Sequence, residues 1–195
     1  MRCRRPFSPR ARRICLLLMD VDGVLTDGRI LFIEGAAEAK TYDVKDGIGL
    51  SIARRMGLRT GVISGRGGAA VLRRVEELGL HEVHLRVRNK LQAYDRIVHR
   101  LKLIDAQVCY IGDDLTDLPI LGRAGMPVAV ADARPEVIRR ALFVTRDPGG
   151  RGAVREVVDA ILKAQGKWEE VLEWYDPASS RARRSRGVGP AEEQR

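Results

Sequence analysis

The amino-acid sequence predicts an α/β fold, a parallel sheet with helices on both faces, and three observations predict it. Short, nearly continuous apolar runs alternate with amphipathic stretches along most of the chain. Polar and charged residues gather directly after several of those runs. Gly and Pro punctuate the joints, as in the "RDPGGRG" turn at 146–152. Strands that are apolar throughout need cover on both faces, and crossover helices between parallel strands supply it.

The elements follow in order. "ICLLLM" at 14–19 is the first core strand. "RILFIEGAAEAKTYDV" holds two short β-prone runs around "EGAA", which predicts a hairpin over 29–42. From there the period alternates: helix 46–56, strand "LRTGVIS", helix 67–78, strand "EVHLR", helix 90–101, strand "QVCYIG", helix 115–123, strand "MPVAV", helix 135–140, a short "LFVT" strand and a helix over 152–165. "KWEEVLEWY" either continues that helix or begins another, with Trp168, Val171, Leu172 and Tyr175 as an apolar stripe for packing. The pattern is that of a Rossmann-like three-layer parallel sheet with a β-hairpin flap.

With 195 residues and 45 % hydrophobic content, the chain has room and apolar material for one domain plus tails. Its net charge of +9 would suggest nucleic-acid binding were it spread through the fold. It sits at the ends: six arginines and no acid in residues 1–13, five arginines against three acids in 176–195, and a net of +1 between. Residues 1–13 are therefore expected as a disordered basic tail, 14–167 as the domain, and 168–195 as a helix with a disordered end. No apolar run reaches the roughly 18 residues a membrane span requires. Cys3, Cys15 and Cys109 lack metal-ligand spacing, and the last two are expected inside strands as reduced thiols, which suits a cytoplasmic protein. Neither a nucleic-acid partner nor a membrane is expected.

Ligands of open parallel sheets bind beyond the carboxyl ends of the strands. The residues there are Asp20 and Asp22 after the first strand, Ser64 and Arg66 after the second, Lys90 shortly after the third, and Asp113 and Asp114 after the fourth. Carboxylates so gathered raise one another's pKa unless a cation joins them. A hard divalent ion with oxygen ligands and retained waters, Mg²⁺, suits this set. Ser64 and Lys90 can then hold phosphoryl oxygens. One aspartate can attack phosphorus, and a second, two residues on, can protonate the departing alcohol.

"DVDGVLTDG", "ISGR", "NK" and "GDDLTD" together resemble the four motifs of the haloacid dehalogenase-like phosphohydrolases. "DVKDGIGL" and "GGRGAVREVVDAIL" are similar to stretches of the 3-deoxy-D-manno-octulosonate 8-phosphate phosphatase family, over about Ile14 to Lys167. The resemblance implies Asp20 as nucleophile and Asp22 as general acid/base. It further implies phosphate contacts from Ser64 and Lys90, and a Mg²⁺ site at Asp20, Asp22 (through its carbonyl) and Asp113, with Asp114 and Asp117 behind. Substrate contacts are implied for Asp22, Asp43, Val44, Lys45, Asp46, Gly47, Arg66, Arg74 and Lys90, the arginines suiting the carboxylate of a sugar acid. A role in lipopolysaccharide biosynthesis follows from such a substrate. Where several relatives carry arginine five residues beyond the aspartate of "KDG", this chain has Ser51, so nine-carbon sialic-type acid phosphates and phenylphosphate processing stay open as alternatives.

The gaps of 44 residues between the first two motifs and 23 between the last two leave no room for a cap domain. The hairpin is the one candidate lid, and the resemblance implies a homotetramer whose neighbouring subunits close the site. Three rivals stand beside this reading. A phospho-acceptor receiver domain would carry its aspartate on a middle strand, a nucleic-acid-binding subunit would use the arginine tails, and a non-catalytic subunit would show no turnover.

Overall fold

The computed structural model describes residues 9–34 and 38–176. Six parallel strands form one sheet in the order β3-β2-β1-β4-β5-β6: β1 (Leu16–Met19), β2 (Arg59–Ile63), β3 (Glu82–His84), β4 (Val108–Gly112), β5 (Met126–Ala129) and β6 (Phe143–Val144). The chain leaves β1 toward β3 by way of α1 (Val44–Arg55) and α2 (Ala69–Leu78), then crosses back to β4 through α3 (Lys90–Arg100). The other half is connected by α4 (Leu118–Leu121) and α5 (Pro135–Arg140), and α6 (Ala153–Ala164) returns to pack on α1. Helices α1, α2 and α6 thus share one face, and α3, α4 and α5 the other.

All four β1 residues are fully buried, as a central strand covered twice requires. Asp43 caps α1 by accepting a hydrogen bond from the Lys45 backbone N–H at 2.6 Å, so the helix starts at Val44, two residues before the periodicity predicts. Within α1, a Cβ on Gly49 would meet Arg155 Cδ at 2.9 Å and Cα at 3.1 Å; the missing side chain lets α1 lie close against α6. α2 begins at Ala69 rather than 67. The helix predicted over 115–123 resolves into a 3-10 turn at Leu115–Asp117 and the single turn of α4.

Several expectations are corrected. The predicted hairpin is a single antiparallel bridge, Leu31 to Ala39, with its turn residues 35–37 outside the described residues. Ala11, assigned to the tail, is fully buried, and the Gln165 side chain donates to the carbonyls of Ala11 and Ile14, so the packed domain extends N-terminal to Ile14. Residues 1–8 and 177–195, which hold most of both predicted tails, lie outside the described residues. Cys15 is exposed and precedes β1, whereas Cys109 is buried in β4. "KWEEVLEWY" forms its own helix, α7 (Trp168–Tyr175), after Gly166 turns the chain at φ +72°. Val171 is buried and Trp168 packs on the core, but Tyr175 is 56 % exposed. Among the described residues no helix is long and apolar enough to cross a membrane.

Candidate active site

Because β1, β2 and β4 run parallel and in register, their carboxyl ends deliver Asp20, Ser64 and Asp113 to one edge of the sheet. A cavity of about 670 Å³ opens there, lined among others by Asp20, Asp22, Ser64, Arg66, Lys90 and Asp113. A second cavity of about 670 Å³ lies at the opposite end, between Arg12, Cys15, Leu58 and Lys167. Among the described residues no carboxylate lines it, whereas the first cavity gathers several.

Lys90, the first residue of α3, is buried at the centre of the site. Its Nζ donates to Asp20 Oδ2 at 2.5 Å and to Asp117 Oδ1 at 2.7 Å. Burial opposes its charge, yet the two carboxylates outweigh burial and raise its pKa. Asn89 positions the lysine by capping α3, accepting from the Gln92 N–H at 3.0 Å. Asp20 Oδ1 accepts the Val21 N–H at 2.7 Å. Burial first, then neighbouring Asp117, pushes the Asp20 carboxyl up to about 6 against the pull of Lys90. Asp113 goes further, to about 8, through burial and the nearby Asp117 and Asp20.

Asp117 was expected behind the site, and the structure makes it the hub. It is fully buried, accepts from the Tyr110 hydroxyl at 2.7 Å and Lys90 through Oδ1, and from the backbone N–H groups of Asp113 (3.1 Å) and Asp114 (3.4 Å) through Oδ2. Its four-residue spacing from Asp113 around a capped turn is the sequence signal that points to this role.

Three of these carboxylates form a donor set for a cation. Asp20, Asp113 and Asp117 each offer an oxygen, all within 4.8 Å of one another. Asp113 Oδ1 is buried without a hydrogen-bond partner. Gly23, at φ +87°, leaves open the space beside Asp113: a Cβ there would lie 2.1 Å from Oδ2. An orphaned carboxylate oxygen among crowded acids fits a hard divalent ion. Asp22 is not in this trio, because its carboxylate faces Lys40 and Arg66 Nε (3.7 Å).

Lys40 and Glu38, which sequence reasoning missed, brace Asp22. The almost fully buried Lys40 ammonium pairs with Asp22 and, at 3.0 Å, with Glu38, while Arg66 also reaches Glu38 at 2.9 Å. Burial disfavours the Lys40 charge, but the two carboxylates raise its pKa overall. An alternating position in a short β-prone segment carries no signal for such a role.

Ser64 is buried, lines the cavity and accepts the Arg66 N–H at 3.2 Å. The segment 43–47 is placed differently from its expected substrate contacts. None of its residues lines the catalytic cavity of this chain. Asp43 is the α1 cap, Val44 is 71 % exposed, and Lys45 extends toward the Arg151 carbonyl. Asp46 is buried and committed to α6, accepting from Gly152 N (3.2 Å) and Arg155 N (2.8 Å). Gly47 backs onto Arg74, where a Cβ would meet the guanidinium at 2.4 Å. Arg74 lies outside the cavity, 5.5 Å from the Tyr42 ring centre and 3.0 Å from Glu77.

Comparison with known proteins points to one family. A haloacid dehalogenase-like hydrolase family profile matches residues 75–157. The 3-deoxy-D-manno-octulosonate 8-phosphate phosphatase KdsC of Salmonella typhimurium is 42 % identical over 172 residues, 86 % of this chain and 92 % of that protein. The protein of the same name from Escherichia coli K12 is 44 % identical over 161 residues, 83 % of this chain and 86 % of its own. A Moraxella catarrhalis 3-deoxy-D-manno-octulosonate 8-phosphate phosphatase, solved in complex with magnesium ion, phosphate ion and KDO, superposes with a TM-score of 0.83 at 36 % identity, covering 85 % of this chain and 95 % of that one.

Proposed function

We propose a substrate and a chemical route for a chain that belongs to the 3-deoxy-D-manno-octulosonate 8-phosphate phosphatase family of haloacid dehalogenase-like hydrolases. It is a phosphoric monoester hydrolase. The substrate is 3-deoxy-D-manno-octulosonate 8-phosphate, hydrolysed with Mg²⁺ through an aspartyl-phosphate on Asp20. The observation that carries this reading is the buried Asp20–Lys90–Asp117 array beside the partnerless Asp113 oxygen. The identity to curated phosphatases of that name supports the choice of sugar.

Asp20 attacks phosphorus, the bond from phosphorus to the sugar oxygen breaks, and Asp22 gives its proton to the departing alkoxide. Asp22, now a carboxylate, takes a proton from water, whose oxygen attacks the aspartyl-phosphate; orthophosphate leaves and Asp20 is regenerated. Lys40 and Arg66 hold Asp22 in place. Ser64 and Lys90 bind phosphoryl oxygens, and Lys90 also fixes the attacking carboxylate. The Asp20 and Asp113 carboxylates with the Asp22 carbonyl would hold the cation, while Asp117 orients Lys90 and the Asp113 backbone. When bound, Mg²⁺ supplies the charge that offsets crowded carboxylates and phosphate oxygens.

Of the two arginines that the resemblance implies for the substrate, Arg66 lines the cavity and Arg74 does not. Arg74 and the 43–47 segment would contribute from behind or to a neighbour. A homotetramer in the cytoplasm completes the proposal. Its support is the apolar surface on and near the flap, where Leu31, Phe32, Ile33, Val44 and Ile48 are all exposed.

Phosphate release measured across eight- and nine-carbon sugar-acid phosphates tests the reading. The eight-carbon ester should be preferred, with activity lost in excess chelator and restored by Mg²⁺. Preference for a nine-carbon acid would overturn the substrate, and full turnover in chelator would overturn the metal requirement.

A further inference from the structure

Beside the catalytic cavity lies a separate cleft of about 430 Å³ at the β3 edge of the sheet. His84, Arg86, Arg88, Asn89, Gln92 and Arg96 line it, together with three apolar residues of β3 and the loop after it. Among the described residues no carboxylate does. Glu82, on the adjoining strand β3, is already engaged by His84 at 3.2 Å and by Arg100. Arg86, Arg88 and Arg96 form no ion pair among the described residues, and all three are exposed. Three arginines lining one small cleft, with no ion pair among the described residues, supply the positive charge and the N–H donors that an oxyanion requires.

The cleft is joined to the catalytic centre. Arg88 and Asn89 line both cavities, and Asn89 caps the helix that begins with Lys90. The loop carrying Arg86 and Arg88 is tied to the catalytic loop by two backbone bonds, Arg86 N to Arg66 O (3.2 Å) and Val87 N to Ser64 O (3.0 Å). Arg86 is held at φ +57°, a left-handed conformation that a non-glycine residue rarely adopts.

We propose that this cleft is a second oxyanion site, which takes a phosphate or carboxylate group next to the reacting phosphate. Two sources share that chemistry: free orthophosphate, and the carboxylate end of the sugar-acid substrate. The second source rests on the phosphatase reading; the first does not.

The test uses the full chain and the double variant Arg86→Gln/Arg96→Gln, whose residues line the cleft and not the catalytic cavity. Inorganic phosphate is titrated calorimetrically with Mg²⁺ present. Two phosphates per protomer are expected for the wild type and one for the variant, with kcat on p-nitrophenyl phosphate within about twofold. If the carboxylate is the source, KM for the sugar-acid phosphate rises at least about fivefold in the variant while KM for p-nitrophenyl phosphate does not move. If orthophosphate is the source, the stoichiometry falls and both KM values hold. Equal stoichiometry together with equal KM values for both esters overturns the site. Should the double variant misfold by circular dichroism, Arg96→Gln alone, on the exposed face of α3, is measured, and an unchanged affinity of the weaker phosphate together with unchanged KM values overturns the proposal equally. Failure of the phosphatase reading would show differently, as no hydrolysis of either ester with the phosphate stoichiometry intact.

Discussion

Asp20 and Asp46 are both buried, and burial pushes each carboxyl to about 6, yet the molecule answers the two charges differently. Asp46 sits between α1 and α6 and receives two backbone N–H groups from the start of α6. Its neighbourhood is complete within the chain. Asp20 sits at the end of β1 with Asp113 and Asp117 crowded against it and one lysine shared among them. The comparison teaches that a displaced pKa does not by itself mark a catalytic group. What marks it is a neighbourhood that stays short of positive charge.

The largest effect that would break or confirm this contrast is on turnover. Asp20→Asn keeps the side-chain volume and a partner for Lys90 but removes the nucleophile, so phosphatase activity should fall more than about 100-fold while the circular dichroism spectrum is retained. Retention of more than about one per cent of activity would mean that Asp20 is a structural acid like Asp46.

The next effect is on stability. Lys90→Met removes the shared cation and leaves Asp20 and Asp117 buried without it, which should cost about 3 kcal/mol in urea unfolding at pH 7.5 in chelator. Adding Mg²⁺ should narrow the gap between variant and wild type, because the ion offsets the same carboxylates. The gap should also shrink toward pH 5, because the Asp20 carboxyl, pushed up to about 6 chiefly by burial, takes up a proton there. A loss that neither Mg²⁺ nor acid reduces would mean that Lys90 contributes by packing alone.

The same contrast explains what could be read from the chain. The parallel sheet, the strand ends and the meeting of Asp20, Ser64, Lys90 and Asp113 at one cavity were legible, because apolar runs define parallel strands and their carboxyl ends converge, whereas the order of the strands was not. The place of Asp46 was not. An aspartate in "KDG" reads the same whether it faces a ligand or a neighbouring helix, and its partners Gly152 and Arg155 lie more than a hundred residues away. Lys40 was hidden for the same reason: its role depends on a flap folding back over Asp22, while the flap's sequence shows only β propensity. Ala11 escaped notice because one alanine among arginines carries no periodicity, although the first turn of chain packs it beneath α6. Local pattern resolves elements; long-range partners decide what their polar residues do.

The smallest expected effect tests Asp46 itself. Its carboxyl is raised to about 6 from an ordinary 3.8, chiefly by burial, with the two N–H groups of Arg155 and Gly152 opposing. The folded state therefore binds the proton more tightly than the unfolded chain. The stability this confers is complete below about pH 3.8 and is lost as pH rises through 6. Asp46→Asn keeps one of the two acceptor oxygens, at a cost that does not change with pH, and has no proton to lose. The stability of Asp46→Asn relative to wild type should accordingly rise between pH 4 and pH 7, by on the order of 2–3 kcal/mol. Mg²⁺ should leave this difference unchanged, since the clamp lies outside the acid cluster. Urea unfolding of both proteins across that range, with and without Mg²⁺, reads the effect. A flat difference would show that the two N–H groups hold Asp46 at an ordinary pKa, and a difference that Mg²⁺ shifts would join the two aspartates into one electrostatic unit.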